Sequence, residues 1–211
     1  MTTKLRLYNG ALFAIGERPL ATLTDSVESR RALDEKYQNF VDYVLQQGYW
    51  KHALRTSKID YDPSVTVSFG YSHAFVKPTD LVKTFKFASD EFLNNEVTQR
   101  TEDTSWWFSS LSIVYIQYVS NSTSYGADLS KWPALMATYG ELLLASWIVE
   151  RLNPGIAKEG LHRDLKQALD NALAKDAMEG PAVFAPPSGW AAARSGRGWR
   201  AGRGNWPNMS S

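Results

Sequence analysis

The most apolar helical stretch of this 211-residue chain is Lys131-Trp-Pro-Ala-Leu-Met-Ala-Thr-Tyr-Gly-Glu-Leu-Leu-Leu-Ala-Ser-Trp-Ile-Val-Glu-Arg-Leu152. Its large apolar side chains recur at helical spacing and nearly encircle the helix that this spacing predicts over 131–152. Ser130 is a candidate N-cap, and Pro133 suits the first turn because its missing N–H would have no partner there. We therefore expect this helix to be the most buried element of the protein.

Helical periodicity also predicts three other helices, at about 5–15, 26–47 and 157–178. Each segment places apolar residues three and four positions apart on one face and polar residues on the other. Gly16 is placed to end the first helix in a left-handed cap, and Gly180-Pro181 ends the last. The protein is therefore expected to have two helices before residue 50 and two after residue 128.

The helix predicted over 26–47 has signals at both of its ends. Asp25 with Glu28 three residues later matches a capping box, and Gly48 matches a left-handed C-cap. The buried face of this helix is predicted to consist of Leu33, Tyr37, Phe40, Val41, Val44 and Leu45.

Between about 50 and 120 the hydrophobic period changes to two, which is typical of β-strands. Strands are predicted at Val65–Phe69, Leu81–Phe87 and Ser112–Val119, and Trp106–Phe108 could form a hairpin with the last of these. Adjacent strand residues point to opposite faces, so at least one of the paired tryptophans at 106 and 107 is expected in the core. These patterns predict a small antiparallel sheet of about four strands.

Together the patterns indicate an α+β, mainly helical protein. We expect about four helices in a bundle, with a small antiparallel β-sheet insertion over about 50–120 between the second and third helices. The body is predicted to span 1–180, and an extended Gly/Arg/Trp C-terminal arm is predicted over 181–211. A chain of this length buries roughly 70% of its extended surface on folding, so it needs no disulfide or metal for stability.

Charge is distributed unevenly along the chain. Residues 181–211 contain four arginines and no acidic residue, whereas residues 1–180 contain 19 basic and 22 acidic side chains. The C-terminal segment also contains three of the eight tryptophans, although its composition buries too little surface to fold alone. Because Trp and Arg often anchor interfaces, we expect an arm that orders on a partner through Trp190, Arg194, Arg197, Trp199, Arg200, Arg203 and Trp206.

The sequence nominates no catalytic chemistry. The absence of Cys excludes disulfides, thiolate metal sites and Cys nucleophiles. His52, His73 and His162 fall in separate regions without the spacing of metal ligands, and Gly196–Ala201 matches a dinucleotide fingerprint without the required strand and helix. We therefore expect no catalytic residue, no cofactor-binding residue and no metal ligand, and a protein that is not an enzyme.

No membrane segment is expected either. No stretch approaches the eighteen or so consecutive apolar residues of a membrane span. The residues after Met1 lack the apolar region of a signal peptide, which predicts a soluble protein made in the cytoplasm.

The N-terminal residues carry a resemblance to a known family. The string Asn9-Gly-Ala-Leu-Phe-Ala-Ile-Gly-Glu-Arg-Pro-Leu-Ala-Thr-Leu23 is followed by a polar gap, an amphipathic helix and Gln46-Gln-Gly-Tyr-Trp50. This order resembles the opening of the tail tubular protein A-like, or head-to-tail adaptor, family of tailed bacteriophages. Recognisable residues cover about 9–50, and the order of elements covers about 5–180.

The resemblance implies a structural role rather than a chemistry. Such adaptors form a ring, expected to be twelve-fold, beneath the portal protein at the capsid vertex, and a tail, nozzle or tail-connector protein binds on the other side. Genomic DNA passes through the lumen without sequence-specific binding. The implied location is the head–tail junction of the virion, and the arm over 181–211, which departs from short-tailed examples of the family, is expected to contact the portal.

Nucleic-acid binding through the Arg/Gly/Trp tail is the alternative function. Arginine contacts phosphates and aromatic rings stack on bases in single-strand-binding segments. The slightly acidic body offers no basic stripe in the sequence to support such a site, so the adaptor hypothesis is preferred.

Overall fold

The computed structural model describes residues 1–67, 70–155 and 158–179. The chain divides into two compact units, Met1–Ala177 and Met178–Ser211, and the description below concerns the first unit and the end of its last helix. The described residues form a mixed α+β protein with four helices and two small antiparallel sheets, which confirms the α+β class.

The four helices are α1 (Lys4–Ala14), α2 (Glu28–Gln47), α3 (Ala134–Leu152) and α4 (Lys158–Met178). α3 buries nine of its side chains, more than the six of α2, the four of α1 and the two of α4. The expectation that α3 is the most buried helix is therefore confirmed.

The end of α1 is the left-handed cap that Gly16 predicts. Gly16 has a φ of +66°, its N–H donates to the carbonyl of Phe13 (3.0 Å), and the N–H of Glu17 donates to the carbonyl of Leu12 (2.9 Å). These two hydrogen bonds form a Schellman motif, which satisfies carbonyls that the helix would otherwise leave unpaired.

Both end signals predicted for α2 are wrong. Asp25 accepts hydrogen bonds from the N–H and hydroxyl of Thr22, so it closes the preceding loop, and α2 begins at Glu28 without a side-chain cap. Gly48 is extended rather than left-handed, with a φ of −149°. A Cβ at this position would lie 2.8 Å from Cδ2 of Leu173 and 3.2 Å from Cε2 of Trp50, so a larger residue would force these side chains to shift.

The start of α3 also differs from the prediction. The N–H and hydroxyl of Ser130 both donate to Oδ1 of Asp128, at 3.1 and 2.6 Å. Ser130 therefore belongs to a separate 3₁₀ turn over Leu129–Lys131, and α3 begins only after Pro133.

The strands are β1 (Leu54–Asp60), β2 (His73–Val76), β3 (Leu81–Ala88), β4 (Thr101–Glu102), β5 (Trp106–Ser109) and β6 (Ile113–Ser120). Sheet A has the order β1-β6-β3 and sheet B the order β2-β5-β4, and all pairs are antiparallel. The prediction of one four-stranded sheet is therefore wrong, because the sheet region is more extensive than a single small insertion.

Two of the strand predictions fail for identifiable reasons. Trp106–Phe108 does not pair with β6, because β1 and β3 occupy both edges of β6 and β5 lies in the other sheet. In the strand predicted at Val65–Phe69, residues 65–67 are irregular, since they follow a turn in which Asp62 accepts hydrogen bonds from the N–H and hydroxyl of Ser64, and residues 68–69 lie outside the described residues.

The apolar interior comprises two clusters. The helical core is built from buried side chains of all four helices together with Trp50, Ala53 and Val119. The sandwich core lies between the two sheets and consists of Phe75, Phe87, Trp107, Val114, Ile116 and Tyr118. Trp107 is fully buried and Trp106 is half-buried, which confirms that one of the pair belongs to the core.

Candidate functional site

The seven arm residues predicted to contact a partner lie outside the described residues. They are Trp190, Arg194, Arg197, Trp199, Arg200, Arg203 and Trp206. Their role remains a prediction from sequence, and the candidate surfaces described next all belong to Met1–Ala177.

The most buried carboxylate network surrounds Asp80, at the start of β3. Arg55 donates to Oδ2 of Asp80 (2.9 Å), the hydroxyl of Tyr118 donates to Oδ1 (3.1 Å), and the hydroxyl of Ser120 also donates to this carboxylate. Burial favours the neutral acid, but these three donors outweigh it and hold the pKa of Asp80 below its usual value. Burial, reinforced by the neighbouring carboxylate, raises the pKa of Tyr118 to about 12.

The Asp80 network links all three strands of sheet A. Arg55 comes from β1, Asp80 lies at the β3 end, and Tyr118 comes from the central strand β6. Every oxygen of the carboxylate is bound to a protein donor, so the geometry stabilises the sheet and leaves Asp80 unsuited to act as a base.

A second network surrounds Asp34 on α2. The hydroxyl of Tyr8 and Nζ of Lys4 lie 2.8 and 3.0 Å from Oδ1, and Nη1 of Arg30 lies 2.7 Å from Oδ2. Burial opposes ionisation here too, but the hydrogen bonds from Lys4 and Tyr8 outweigh it, so the pKa of Asp34 is lowered. This network joins α1 to α2 and is more exposed than the one at Asp80, with 35% against 16% of the carboxylate side chain accessible.

The outer face of sheet A bears a cluster of half-buried lysines and exposed aromatic side chains. We define the basic edge as Lys83, Phe85 and Lys86 of β3 together with Tyr49, the residue after Gly48. The Tyr49 and Phe85 ring centroids are 4.8 Å apart, and Nζ of Lys83 lies 4.0 Å from the centre of the Tyr49 ring. Neither lysine is among the site residues predicted from the sequence, because strict alternation places Lys83 and Lys86 on opposite faces of a strand.

The loop after β3 presents a different exposed aromatic side chain. Phe92 is 75% exposed, and Asp90 holds the loop by accepting hydrogen bonds from the N–H groups of Asn94 and Asn95. Leu93 has a φ of +58°, a left-handed conformation that costs a non-glycine residue roughly 1–2 kcal/mol. The surrounding hydrogen bonds therefore maintain a strained loop whose tip is apolar.

Helix α1 carries the other large exposed aromatic residue. Phe13 is 85% exposed and lies on the same helical face as Arg6 and Gly10, and the side chain of Glu141 on α3 packs against Gly10. Burial raises the pKa of Glu141, and the charge of Arg6 offsets part of this effect. The exposed face of α1 therefore presents the Phe13 ring, and Glu141 is partly desolvated where it packs against Gly10.

A polar concavity with a volume of about 510 Å³ lies between α2, α3 and α4. It is lined by Lys36, Asn39, Ser146, Trp147, Glu150, Lys158 and His162. Lys158 pairs with Glu150, and the Ser146 hydroxyl donates to the carbonyl of Leu143 (2.7 Å), so its polar groups are largely engaged with the protein itself.

The three histidines do not come together. His52 follows α2, His73 stacks on Tyr61 with ring centroids 4.3 Å apart, and His162 lies on α4. Within the described ranges 1–67, 70–155 and 158–179, no three His, Asp or Glu residues are placed to hold a metal ion. None of the helices in the same ranges is long and apolar enough to span a bilayer.

Comparison with known proteins identifies no family for this chain. No protein-family model matches it, and no curated protein is significantly similar to it in sequence.

Proposed function

We propose that this chain is a structural head-to-tail adaptor, or connector, of a tailed phage. In this proposal it forms a ring, expected to be twelve-fold, under the portal protein, receives a tail, nozzle or tail-connector protein, and lines the DNA passage. We further propose that the four helices act as a bundle that supports the ring, and that the arm over 181–211 binds the portal.

The observation that carries the proposal is that the residues resembling the adaptor family form the contacts that join the helices to one another. The side chain of Asn9 accepts a hydrogen bond from the N–H of Leu20 (2.8 Å) and donates one to its carbonyl (3.1 Å). Asn153 donates to the carbonyl of Ile15 (3.1 Å), which attaches the same loop to the end of α3. The first part of the resembling string therefore forms a fixed junction between α1 and α3.

The second part of the resembling string also ends a helix at the helical core. Trp50 is 1% exposed, and its indole N–H donates to the carbonyl of Val44 (2.8 Å). Gly48 allows Leu173 of α4 to pack against this turn. Both segments thus serve the architecture, as expected of a family defined by a fold and a place in an assembly.

The exposed aromatic residues are compatible with a ring. A closed ring of identical subunits uses two unlike complementary surfaces on each copy. Phe13 on α1 and Phe92 in the loop after β3 belong to different parts of the molecule, and aromatic residues are enriched at interfaces. We propose that these residues contribute to opposite sides of the contact between neighbours.

Sedimentation with the portal ring encoded in the same genome tests the proposal. The chain should sediment as a small species alone and with the portal after mixing, since each small contact becomes useful only when the ring closes. Deletion of 181–211 should lower portal binding, and failure of the full chain to bind the portal would contradict the adaptor function.

Point substitutions separate the ring contact from the arm. Phe13→Asp and Phe92→Asp should reduce the number of copies on each portal without lowering the melting temperature, because both side chains are exposed. Phe13→Leu and Phe92→Leu are the matched controls and should retain binding. If both Asp variants occupy the portal as fully as wild type, Phe13 and Phe92 do not contribute to the contact between neighbouring subunits.

A further inference from the structure

Two lysines on the outer face of sheet A lack a carboxylate partner within the described part of the chain. They are Lys83 and Lys86. The ammonium group of Lys83 lies over the Tyr49 ring, and that of Lys86 lies over the Phe85 ring. By contrast, Lys58 on the same face lies 3.9 Å from Asp60, and Arg55 pairs with Asp80. The basic edge therefore presents positive charge that the protein does not neutralise locally.

Strand pairing places both lysines on one face of sheet A, with Lys83 opposite the buried Val119 and Lys86 opposite a polar side chain. Directly opposed residues of antiparallel strands point to the same face, and Lys86 is opposite Gln117, which is opposite Thr56. Lys83 and Lys86 oppose Val119 and Gln117, which are two residues apart on β6, so the register shift leaves the lysines about 7 Å apart along the sheet. This row offers two cations and a side-chain amide, the groups that contact phosphate and sugar oxygens in protein–DNA interfaces.

The aromatic rings of the basic edge pack against each other. The Tyr49 and Phe85 rings are in contact, and the Lys83 ammonium covers the Tyr49 face. Base recognition by stacking requires an accessible ring face, whereas backbone recognition requires only positioned charge. The arrangement therefore favours a phosphate backbone over unpaired bases.

We propose that the basic edge contacts the phosphate backbone of duplex DNA without reading its sequence. This inference rests on the proposed function, since it assigns the outer face of sheet A to the DNA passage of the ring. It concerns residues of the body, so it is separate from any contribution of the arm arginines to nucleic-acid binding.

The test is a salt titration of DNA binding by the full chain. Fluorescence anisotropy of a labelled 30-base-pair duplex is measured between 25 and 200 mM NaCl for wild type, Lys83→Gln/Lys86→Gln and Arg163→Gln/Lys166→Gln. Both double variants remove two positive charges, but Arg163 and Lys166 are exposed on α4, away from sheet A. The arm arginines are present in all three proteins, so their contribution cancels.

The substitution at the basic edge should lower the slope of log Kobs against log salt by about 2, since each phosphate contact contributes about 0.9. The loss should be equal on duplexes of different sequence, and the α4 variant should keep the wild-type slope. Lys83→Arg/Lys86→Arg should restore binding. Equal slopes for the two Gln variants would overturn the inference. Aggregation of the basic-edge variant with unchanged DNA binding would also overturn it, because the lysines would then serve to prevent aggregation through the edge strand β3.

A measurement on the wild-type chain avoids dependence on any variant. Acetylation of Lys83 and Lys86 should be slowed by duplex DNA, while acetylation of Lys166 should not. Protection of none of the three would contradict the inference. If this chain forms rings on the portal but DNA does not protect Lys83 and Lys86, the DNA contact is contradicted and the adaptor function is not. If DNA protects the lysines but no ring forms, only the adaptor function is contradicted.

Discussion

The helical core and the sandwich core of this protein are stabilised in different ways. Among the described residues, the helical core contains 26 buried residues, drawn from all four helices and from the segments that adjoin them, whereas the sandwich core contains six. The smaller core is accompanied by the Asp80 network, which ties together the three strands of sheet A. Packing thus dominates in one region, and a buried polar network compensates for limited packing in the other.

The largest effect should follow from removing a ring in the helical core. Phe40 is fully buried and contacts the Trp132 and Trp147 rings, so Phe40→Ala should lower the free energy of unfolding by about 3–5 kcal/mol. Phe13→Ala makes the same chemical change at an exposed site and should cost less than about 0.5 kcal/mol. Urea denaturation measures both values, and equal losses would contradict the assignment of the core.

Matched Asp substitutions compare the two polar networks. Asp80→Asn should cost about 2 kcal/mol, because the Tyr118, Ser120 and Arg55 donors lose a charged acceptor. Asp34→Asn should cost less, about 1 kcal/mol, because solvent screens the more exposed network. Urea denaturation at pH 7 gives the two values, and a larger loss at Asp34 would reverse the proposed contrast.

The cost of Asp80→Asn should also depend on pH. The folded-state pKa of Asp80 is lowered, so the wild-type advantage is complete above the unfolded pKa of about 3.9 and disappears as pH falls through the folded value. Urea denaturation of wild type and variant from pH 7 down to pH 2 follows this difference. A difference independent of pH would show that the charge of Asp80 is not involved.

A smaller effect distinguishes close packing from helix propensity. Gly140→Ala on α3 would place a Cβ 2.9 Å from Cζ of Phe40, so overpacking should exceed the propensity gain and leave a net loss of about 1 kcal/mol. Gly160→Ala on α4 meets no atom within 4 Å and should stabilise by up to about 1 kcal/mol. Thermal denaturation should therefore shift in opposite directions, and shifts of the same sign would contradict the packing at Gly140.

The smallest effect concerns Glu141 between α1 and α3. Its folded-state pKa is raised, so its contribution is most favourable below the unfolded value of about 4.3 and is lost as pH rises through the folded pKa. Glu141→Gln should therefore raise stability at pH 7 by under about 1 kcal/mol and leave it unchanged near pH 3. Thermal melts at the two pH values test this, and a Gln variant less stable than wild type at pH 7 would indicate that the Arg6 charge outweighs burial.

The helical region could be predicted from sequence because its periodicity is strong. The face of α2 that includes Leu33, Phe40 and Leu45 is buried as the spacing predicts. The ends of α2 could not be predicted, since Asp25 and Gly48 serve contacts with Thr22 and with Leu173 that only the tertiary structure reveals.

The sheet region was less predictable for physical reasons. β1 is an edge strand in which half-buried and exposed residues alternate, but its half-buried positions include Arg55 and Ser57, so its sequence lacks the apolar alternation that marks a strand. A strict period of two places Lys83 and Lys86, three residues apart, on opposite faces, and only the register shift between Thr84 and Lys86 brings both onto one face. The basic edge therefore emerged only from strand pairing, while the arm residues remain predictions.

Electron microscopy of the full chain mixed with the portal ring of the same genome tests the central claim most directly. The adaptor function predicts a second ring of this chain stacked on one face of the portal, with the symmetry of a closed assembly. Bare portal rings beside monomers of this chain, at concentrations where both remain folded, would contradict it.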